Sequence, residues 1–327
     1  MKKIFSLLVA LCATTCLWAL TFQSGLLYYN TLSDTTVEVT YRTTSYDNYS
    51  DLTAVTIPET VTYGGKTYTV VAISSKAFTY YPNNISSSYK NTSLKLINIP
   101  KTVKTIGTSA FSYCTALTTI NFLGDGLESI GSSAFSYCTA LKSFNFPSTL
   151  KTIGGSAFSN SALTGAVNLP EGVTSIGSSA FYSTKMTTLS IGNAVSTIGS
   201  YAFQYCSSLT SVTLGNSIAT ISSYAFENCS SLTSITLPKS VTTIQSYAFA
   251  NCSKLTTVYL KPTTPPTFTS TNIFPSSAKT FYVPCGTSET YFLSDWVAFT
   301  TNFREEDCIK KYTIYVNQDC TSNLVEQ

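Results

Sequence analysis

The chain has 327 residues, of which only 11% are charged and about 100 are serine or threonine. It contains no histidine, which excludes His-based catalytic triads, His-liganded zinc and histidine general bases. A net charge of +3 is too small for the concentrated basic surface that nucleic acids require, so no nucleic-acid partner is expected. With 43% hydrophobic residues, a folded chain with a core is expected rather than a disordered one.

Residues 1–19 have the composition of a cleavable signal peptide, in which a short basic start precedes an apolar run. The run is too short for a membrane span, and no later segment approaches the length of one, so no transmembrane segment is predicted. The predicted location is therefore outside the cell, secreted or at the cell surface. A lipoprotein is the less favoured alternative, because neither Cys12 nor Cys16 follows the small residue typical of a lipid-attachment site.

Residues 20–76 are predicted to form an N-terminal β cap. Strand-like patterns cover 36–41, 54–57 and 67–73, and the sequence Tyr63-Gly64-Gly65-Lys66 indicates a hairpin turn.

Residues 77–261 repeat one short unit, marked by the dipeptide Ala-Phe. Its alanines are Ala77, Ala110, Ala134, Ala157, Ala180, Ala202, Ala225 and Ala248, at spacings of 33, 24, 23, 23, 22, 23 and 23 residues. The long first interval carries an inserted polar stretch, which is predicted to be a loop. The period predicts about eight stacked coils of 22–24 residues, because a unit this short cannot bury its apolar face alone.

One coil, LTSITLPKSVTTIQSYAFANC, shows how each unit folds. Its LTSITL segment alternates as a short strand does, and the following proline suits the strand's end. In the return segment, Val241 and Ile244 are predicted to point inward, and Ala248 with Phe249 to fill the far side of the coil. Glycines after the return isoleucine, such as Gly131 and Gly154, are assigned to turns.

The units IGSSAFSYCTALKSFNFP, IGSYAFQYCSSLTSVTLG and ISSYAFENCSSLTSITLP resemble the BspA-like leucine-rich repeats of bacterial surface proteins. The pattern I-(G)-x-x-A-F-x-x-C with L-x-x-I-x-L-P is specific for this repeat type, and it covers residues 77–261 most strongly. The fold class predicted is therefore a mainly β leucine-rich-repeat solenoid between an N-terminal β cap and a C-terminal cap.

Residues 262–304 are predicted to be the C-terminal cap. Ile273-Phe274 is a degenerate copy of the anchor, residues 281–284 form a last strand, and aromatic residues form a hydrophobic lid, namely Tyr291, Trp296 and Phe299. Residues 305–327 are a tail or the start of a further module, with a strand candidate at 312–316.

Five cysteines occupy one repeat position, three residues after the anchor phenylalanine: Cys114, Cys138, Cys206, Cys229 and Cys252. Other coils place Tyr81, Ser161 and Thr184 there, which favours a column of small buried side chains over disulfides or a metal ladder. Among Cys285, Cys308 and Cys320, one disulfide is expected and one cysteine is unexplained. No zinc-type spacing occurs, and no metal or cofactor is predicted.

No catalytic residues are predicted, because the acidic residues of the repeats occupy no fixed position and the glycines form no phosphate-binding loop. Two surface rows are instead candidates for binding. The outward strand position carries Asn98, Asn121, Asn145, Asn168, Ser190, Thr213, Thr236 and Tyr259. The alternative for this row is a solvated sheet whose polar side chains ladder between coils.

The second candidate row is aromatic. The residue before the anchor is Tyr201, Tyr224 or Tyr247 in three coils and serine in the four preceding coils, and Tyr113, Tyr137 and Tyr205 stand two residues after it. Tyrosine is a common interface residue, but stacked rings that cover a turn are the alternative.

The resemblance implies a secreted or cell-surface binding protein, an adhesin that contacts host proteins or other cells through its solenoid surface. Because no catalytic residues are predicted, a non-catalytic role is expected. The alternative is a structural or carbohydrate-binding surface component whose partners include glycans.

Overall fold

The computed structural model describes residues 20–42, 49–79, 90–300, 303–306 and 308, and the backbone of two strands at 312–316 and 322–326. The predicted signal peptide, residues 1–19, lies outside the described residues. The chain divides into two compact units, Met1–Thr164 with Gly172–Thr184, and Gly165–Glu171 with Lys185–Gln327. Both are built of β-solenoid coils, about nine in all, which confirms the predicted fold class.

The first unit contains twelve strands among its described residues. They are β1 (Thr21–Ser24), β2 (Leu27–Thr31), β3 (Thr36–Thr40), β4 (Ala54–Thr56), β5 (Thr60–Tyr63), β6 (Lys66–Ile73), β7 (Leu96–Pro100), β8 (Thr105–Ile106), β9 (Thr119–Leu123), β10 (Ser129–Ile130), β11 (Thr152–Ile153) and β13 (Ser175–Ile176).

The N-terminal part of the first unit is an antiparallel sheet joined to the coils. Strands β1, β2 and β3 pair antiparallel, and β3 then pairs parallel with β6. The predicted hairpin is confirmed, since β5 and β6 pair antiparallel with Tyr63 opposite Lys66. Gly64 and Gly65 have φ angles of 59° and 78°, which the hairpin turn requires and glycine adopts most easily. Strands β1 and β2 were not predicted, although Phe22, Leu27 and Tyr29 alternate inward along them.

The return segments of the coils form the longest ladder of the first unit. Strands β6, β8, β10, β11 and β13 pair in parallel in that order. Each of the four short strands β8, β10, β11 and β13 contributes one polar residue and one buried isoleucine, as in Thr105-Ile106 opposite Ser129-Ile130. The inward isoleucines were predicted, but their pairing into a second ladder was not. The outer strands form a separate parallel sheet, β4-β7-β9.

The glycines after the return isoleucines begin turns, as predicted, since the Ala134 amide donates to the Gly131 carbonyl at 3.3 Å, and they are also tightly packed. A Cβ atom added to Gly131 would lie 2.7 Å from the backbone carbon of Gly107 and the backbone nitrogen of Thr108. A Cβ atom added to Gly154 would likewise lie 2.5 Å from the backbone nitrogen of Ser132. These positions therefore need glycine because the backbones of neighbouring coils approach closely there.

One coil of the first unit departs from the predicted strand row. Residues 141–147 form no strand. Asn145 is therefore not on a strand, contrary to the prediction, although its side chain is exposed. Phe144 stands where Ile120 stands one coil earlier, and its larger ring packs at 5.2 Å from Phe135 and 4.9 Å from Phe158. The bulkier side chain at an inward position explains the interrupted ladder.

The second unit holds the remaining described strands and both helical segments. They are β12 (Thr164–Asn168, all but its first residue), β14 (Lys185–Ser190), β15 (Thr197–Ile198), β16 (Ser211–Thr213), β17 (Thr220–Ile221), β18 (Ser234–Leu237), β19 (Thr243–Ile244), β20 (Thr257–Leu260), β21 (Thr267–Phe268), β22 (Thr280–Pro284), β23 (Phe303–Glu306), β24 (Tyr312–Val316), β25 (Ser322–Glu326), helix α1 (Ser288–Phe292) and a 3₁₀ helix (Asp295–Ala298).

The coils of the second unit repeat the two-ladder arrangement. Return strands β15, β17, β19 and β21 pair in sequence, whereas the outer strands divide into two sheets, β12-β14-β16 and β18-β20-β22-β23. The tail hairpin β24-β25 is antiparallel, which confirms the strand predicted at 312–316. In the described part of the chain, neither helical segment combines the length and apolar character that crossing a membrane requires.

Stacked phenylalanines fill the centre of the coils in each unit. Ring centroids lie 4.8–5.3 Å apart from Phe78 to Phe181 in the first unit, and 5.1–5.4 Å apart from Phe203 to Phe274 in the second. Phe274 belongs to the degenerate anchor, which forms a further coil.

The end of the second unit is closed by a lid, as predicted. Tyr291 and Trp296 are fully buried, and the Trp296 indole nitrogen donates a hydrogen bond to the Pro266 carbonyl at 2.7 Å. The expected disulfide joins Cys285 to Cys308, with Cα atoms 5.0 Å apart. Strand β23, which was not predicted, pairs parallel with β22 just before Cys308.

Candidate functional site

The tyrosines next to each anchor occupy strained backbone positions. Tyr201, Tyr224 and Tyr247 have φ angles of 62°, 61° and 60°, in the left-handed region that bulky residues rarely adopt. The residue two places after the anchor phenylalanine is left-handed too, and there asparagine, which tolerates that region, appears as Asn228 and Asn251. This use of asparagine was the signal in the sequence for a left-handed turn at every coil.

The three tyrosines before the anchors form a stacked row, called here the tyrosine column (Tyr201, Tyr224 and Tyr247). Their ring centroids lie 4.8 and 4.9 Å apart, with interplanar angles of 8° and 7°. Tyr201 is 39% exposed, so the edge of the column faces solvent. Desolvation and then the neighbouring rings raise the pKa of Tyr224, which keeps its hydroxyl protonated. The structure therefore brings these three predicted residues together.

Of the tyrosines after the anchors, Tyr137 and Tyr205 are exposed and Tyr113 is half-buried. In the first unit, Tyr113 and Tyr137 stack at 4.5 Å. In the second unit, Tyr205 is 46% exposed. Tyr113 and Tyr137 thus provide a second aromatic stack, which is shorter than the tyrosine column.

The tyrosine column ends at Tyr247, because the equivalent position of the next coil is Asn272. The Asn272 side-chain amide donates to the Tyr247 hydroxyl at 3.4 Å. A groove of about 440 Å³ opens here, lined by Glu227, Tyr247, Ala250, Asn251, Ser253, Asn272, Phe274, Pro275, Ser276 and Ser277. The side-chain amides of Gln204 and Asn251 both donate to Glu227, the second at 3.3 Å. Sequence reasoning missed this polar cluster, because its members come from four coils.

The asparagines of the strand face form a ladder at the start of the first unit. The Asn121 amide donates to the Asn98 side-chain oxygen at 2.9 Å, and the Asn98 amide donates to the Thr56 hydroxyl at 2.8 Å. These contacts agree with the alternative to a binding surface, namely a solvated sheet whose polar side chains form hydrogen bonds from coil to coil. Asn145 lies outside any strand, and Asn168, in the second unit, is exposed on β12.

The strand face of the second unit is divided. Thr213 lies on β16, while Thr236 lies on β18, opposite Tyr259 of β20. A groove of about 640 Å³, lined by both threonines, Lys239 and Lys261, lies where the two sheets separate. Tyr259 also stacks on Tyr282 at 5.0 Å, a pair that the sequence did not reveal. The outer strands of the second unit that carry the predicted polar row are thus divided between two sheets.

The cysteine column is structural. All five repeat cysteines are buried free thiols, which confirms the packing interpretation. Cys138 donates its S–H to the Phe111 carbonyl at 3.1 Å, and Cys252 donates to the Phe226 carbonyl at 3.1 Å. Burial raises the pKa of Cys138, so the thiolate that binds metals or reacts is disfavoured.

The column position of the first coil is filled by Asn91 rather than Tyr81, which lies outside the described residues. Asn91 bridges to Cys114, is fully buried, and donates to the Phe78 carbonyl. The insertion therefore lies between the anchor and this position and shifts the alignment.

Ser161 fills the same column position with a hydroxyl that has no hydrogen-bond partner among the described residues. We expect Ser161→Cys to raise the free energy of unfolding by about 1 kcal/mol, because a thiol is less costly to bury and the preceding coil already has a thiol, Cys138, at this position. Urea unfolding measures this. Ser161→Ala serves as the matched control for removing the hydroxyl alone, and a destabilised Ser161→Cys protein contradicts the expectation.

One cluster at the C-terminal cap has atoms suited to a metal. The sulfurs of Cys285 and Cys308 and a carboxylate oxygen of Glu305 lie within 4.8 Å of one another. The two sulfurs are bonded to each other, so the oxidised protein offers no thiolate ligands here. Hydrogen bonds from the Ser288 hydroxyl and the Gly286 and Ser288 amides lower the pKa of Glu305, which ties its carboxylate to the cap.

Comparisons with known proteins agree with this geometry. A family model described as BspA type leucine rich repeat region matches in six copies, over residues 83–210 and 174–291. A leucine-rich repeat protein from Bacteroides ovatus is similar in structure, with a TM-score of 0.59, 27% identity, and coverage of 88% of this chain and 77% of that one. The T. pallidum leucine-rich repeat protein has a TM-score of 0.50 and 26% identity, covering 72% of this chain and 87% of that one. A search of curated proteins finds no match.

Proposed function

Because the chain belongs to the BspA-type leucine-rich repeat family, we propose that it is a non-catalytic binding protein of the cell exterior, secreted or held at the cell surface. Its partners are surface proteins of host or bacterial cells, to which it adheres through its solenoid surface. The signal-peptide composition of residues 1–19 supports the location. Membership in this repeat family, which is typical of bacterial surface proteins, supports a binding function at the cell exterior.

The tyrosine column carries the proposal. Tyrosine provides a large contact area with few rotatable bonds, so it loses little entropy on binding. Stacking fixes the three rings before a partner arrives, which lowers the cost of ordering them further. Four earlier coils carry serine at the same position with the same left-handed backbone, as at Ser133, so the coil itself does not require tyrosine.

We expect the double substitution Tyr201→Ser/Tyr224→Ser to weaken adhesion to a panel of immobilised matrix and cell-surface proteins by about tenfold or more, as the loss of interface anchors does. The midpoint of thermal unfolding, followed by circular dichroism, should change by only a few degrees, because each of the two stacked pairs that are lost, Tyr201–Tyr224 and Tyr224–Tyr247, contributes about 0.5–1.5 kcal/mol.

The matched control is Tyr137→Ser, which removes a ring of equal exposure, 39%, from the other stack. Adhesion that survives the double substitution, or that falls only in proportion to lost folded protein, is incompatible with a binding role for the column.

Carbohydrate binding is the alternative function, and one observation favours it: the groove where the column ends, with an aromatic ring beside amide and carboxylate groups. A glycan array beside the protein panel discriminates between the two, because adhesion to proteins alone leaves the array empty.

A further inference from the structure

We propose that the groove beside Tyr247 binds a neutral saccharide residue. The site, called here the column-end groove, comprises Tyr247, Glu227, Asn251, Asn272 and the segment 274–277. This proposal deepens the carbohydrate-binding alternative, on which it rests, and it does not require that the rest of the column binds proteins.

The aromatic part of the site is the end of a stack. One face of Tyr247 is covered by Tyr224 at 4.9 Å, whereas no aromatic ring follows at the equivalent position of the next coil, where Asn272 stands. Phe274 lines the same groove from the next coil. An aromatic wall in a concave site suits the apolar C–H surface of a sugar ring, which has hydroxyls around its rim.

The polar part of the site is held in place by the coils themselves. Glu227 accepts hydrogen bonds from Gln204 in the preceding coil and from Asn251 in the following one, at 3.3 Å for the latter. Its position is therefore fixed by neighbours on both sides. A site whose polar groups are already ordered loses less free energy when a ligand binds.

The remaining hydrogen-bonding capacity matches a polyol. A carboxylate has about four acceptor positions, and these two contacts leave about half of them at Glu227. Asn251 donates to Glu227 and Asn272 donates to Tyr247, so each side-chain oxygen remains an acceptor directed away from those bonds. Sugar hydroxyls, each a donor and an acceptor, complement such a cluster.

The negative charge of the groove determines which saccharides it favours. The groove contains the carboxylate of Glu227, and none of the described residues that line it is cationic. An anionic sugar would place a second negative charge near Glu227 with no counterion, which is unfavourable. The site is therefore expected to prefer neutral hexose or N-acetylhexosamine units to sialylated or sulfated ones.

The test uses the folded protein on an array that contains neutral oligosaccharides together with their sialylated and sulfated counterparts. We expect binding to neutral probes and its loss, by about tenfold or more, in Asn272→Tyr, which places a fourth ring against Tyr247 and fills the groove. Glu227→Gln should weaken neutral binding and increase the signal from anionic probes relative to neutral ones. Tyr137→Ser, which lies outside both the tyrosine column and the groove, should leave saccharide binding unchanged.

The outcomes separate this proposal from protein adhesion. An array without neutral binders overturns the saccharide site, and so does neutral binding that Asn272→Tyr leaves intact while its melting temperature is unchanged. Adhesion to the panel of immobilised proteins is measured for the same variants. Loss of adhesion in Tyr201→Ser/Tyr224→Ser alone supports the column, and loss of glycan binding in Asn272→Tyr alone supports the groove.

Discussion

Phe226→Ala is expected to lower the free energy of unfolding by about 3–5 kcal/mol, the range for removing a buried phenylalanine ring. Phe226 lies fully buried between Phe203 at 5.1 Å and Phe249 at 5.4 Å. The cavity would remove contacts from both neighbours at once, and in a repeat protein those nearest-neighbour contacts carry most of the stability. Urea unfolding followed by circular dichroism measures the loss.

Two variants calibrate this result. Phe226→Leu keeps most of the apolar volume and should cost clearly less, whereas Tyr224→Ala removes a half-buried ring of the tyrosine column only two residues away. A cost below about 1 kcal/mol for Phe226→Ala would show that the phenylalanine stack does not hold the coils together, since that is the size expected for an exposed aromatic pair.

The second large effect is expected from the disulfide. The bond Cys285–Cys308 closes a loop across a sequence separation of 23 residues. Chain-entropy estimates for a loop of this length give about 3 kcal/mol of stabilisation. Cys285→Ser/Cys308→Ser should therefore expose the lid around Trp296, which will appear as a red-shifted tryptophan emission and as faster proteolysis near residue 300, before the coils unfold.

Cys138→Ser is the control for losing a thiol without losing a crosslink, because Cys138 is a free buried cysteine. Reducing agent should reproduce the double variant in the native protein and have no effect on the variant itself. If the lid remains resistant to protease after reduction, the disulfide does not stabilise the cap.

The core of the coils was predictable from the sequence, because the same buried positions recur once in every repeat. Ala248, Phe249, Val241 and Ile244 are buried as their spacing indicated. A residue that packs between identical residues of the neighbouring coils varies little from repeat to repeat, so it can be recognised in the sequence by its regular spacing. The same logic identified the tyrosine column and the buried cysteines.

Features that depend on distances between coils were not predictable. The crowding around Gly131 arises from the backbone of the neighbouring coil, and a glycine in a turn has the same appearance in the sequence. The lost strand at residues 141–147 depends on how one ring, Phe144, fits among its neighbours. The column-end groove likewise combines Glu227, Asn251 and Asn272 from separate coils, and none of these residues stands out in the sequence by itself.

The hydrogen bonds of the cysteine column have a direction that bears on synthesis. Within the second unit, Cys229 donates to the carbonyl of Phe203 and Cys252 donates to that of Phe226, so each thiol serves the preceding coil. Each buried carbonyl therefore lacks this donor until the next coil has folded against it. Because translation proceeds from the N-terminus, every newly made coil completes the interior of the one made just before it.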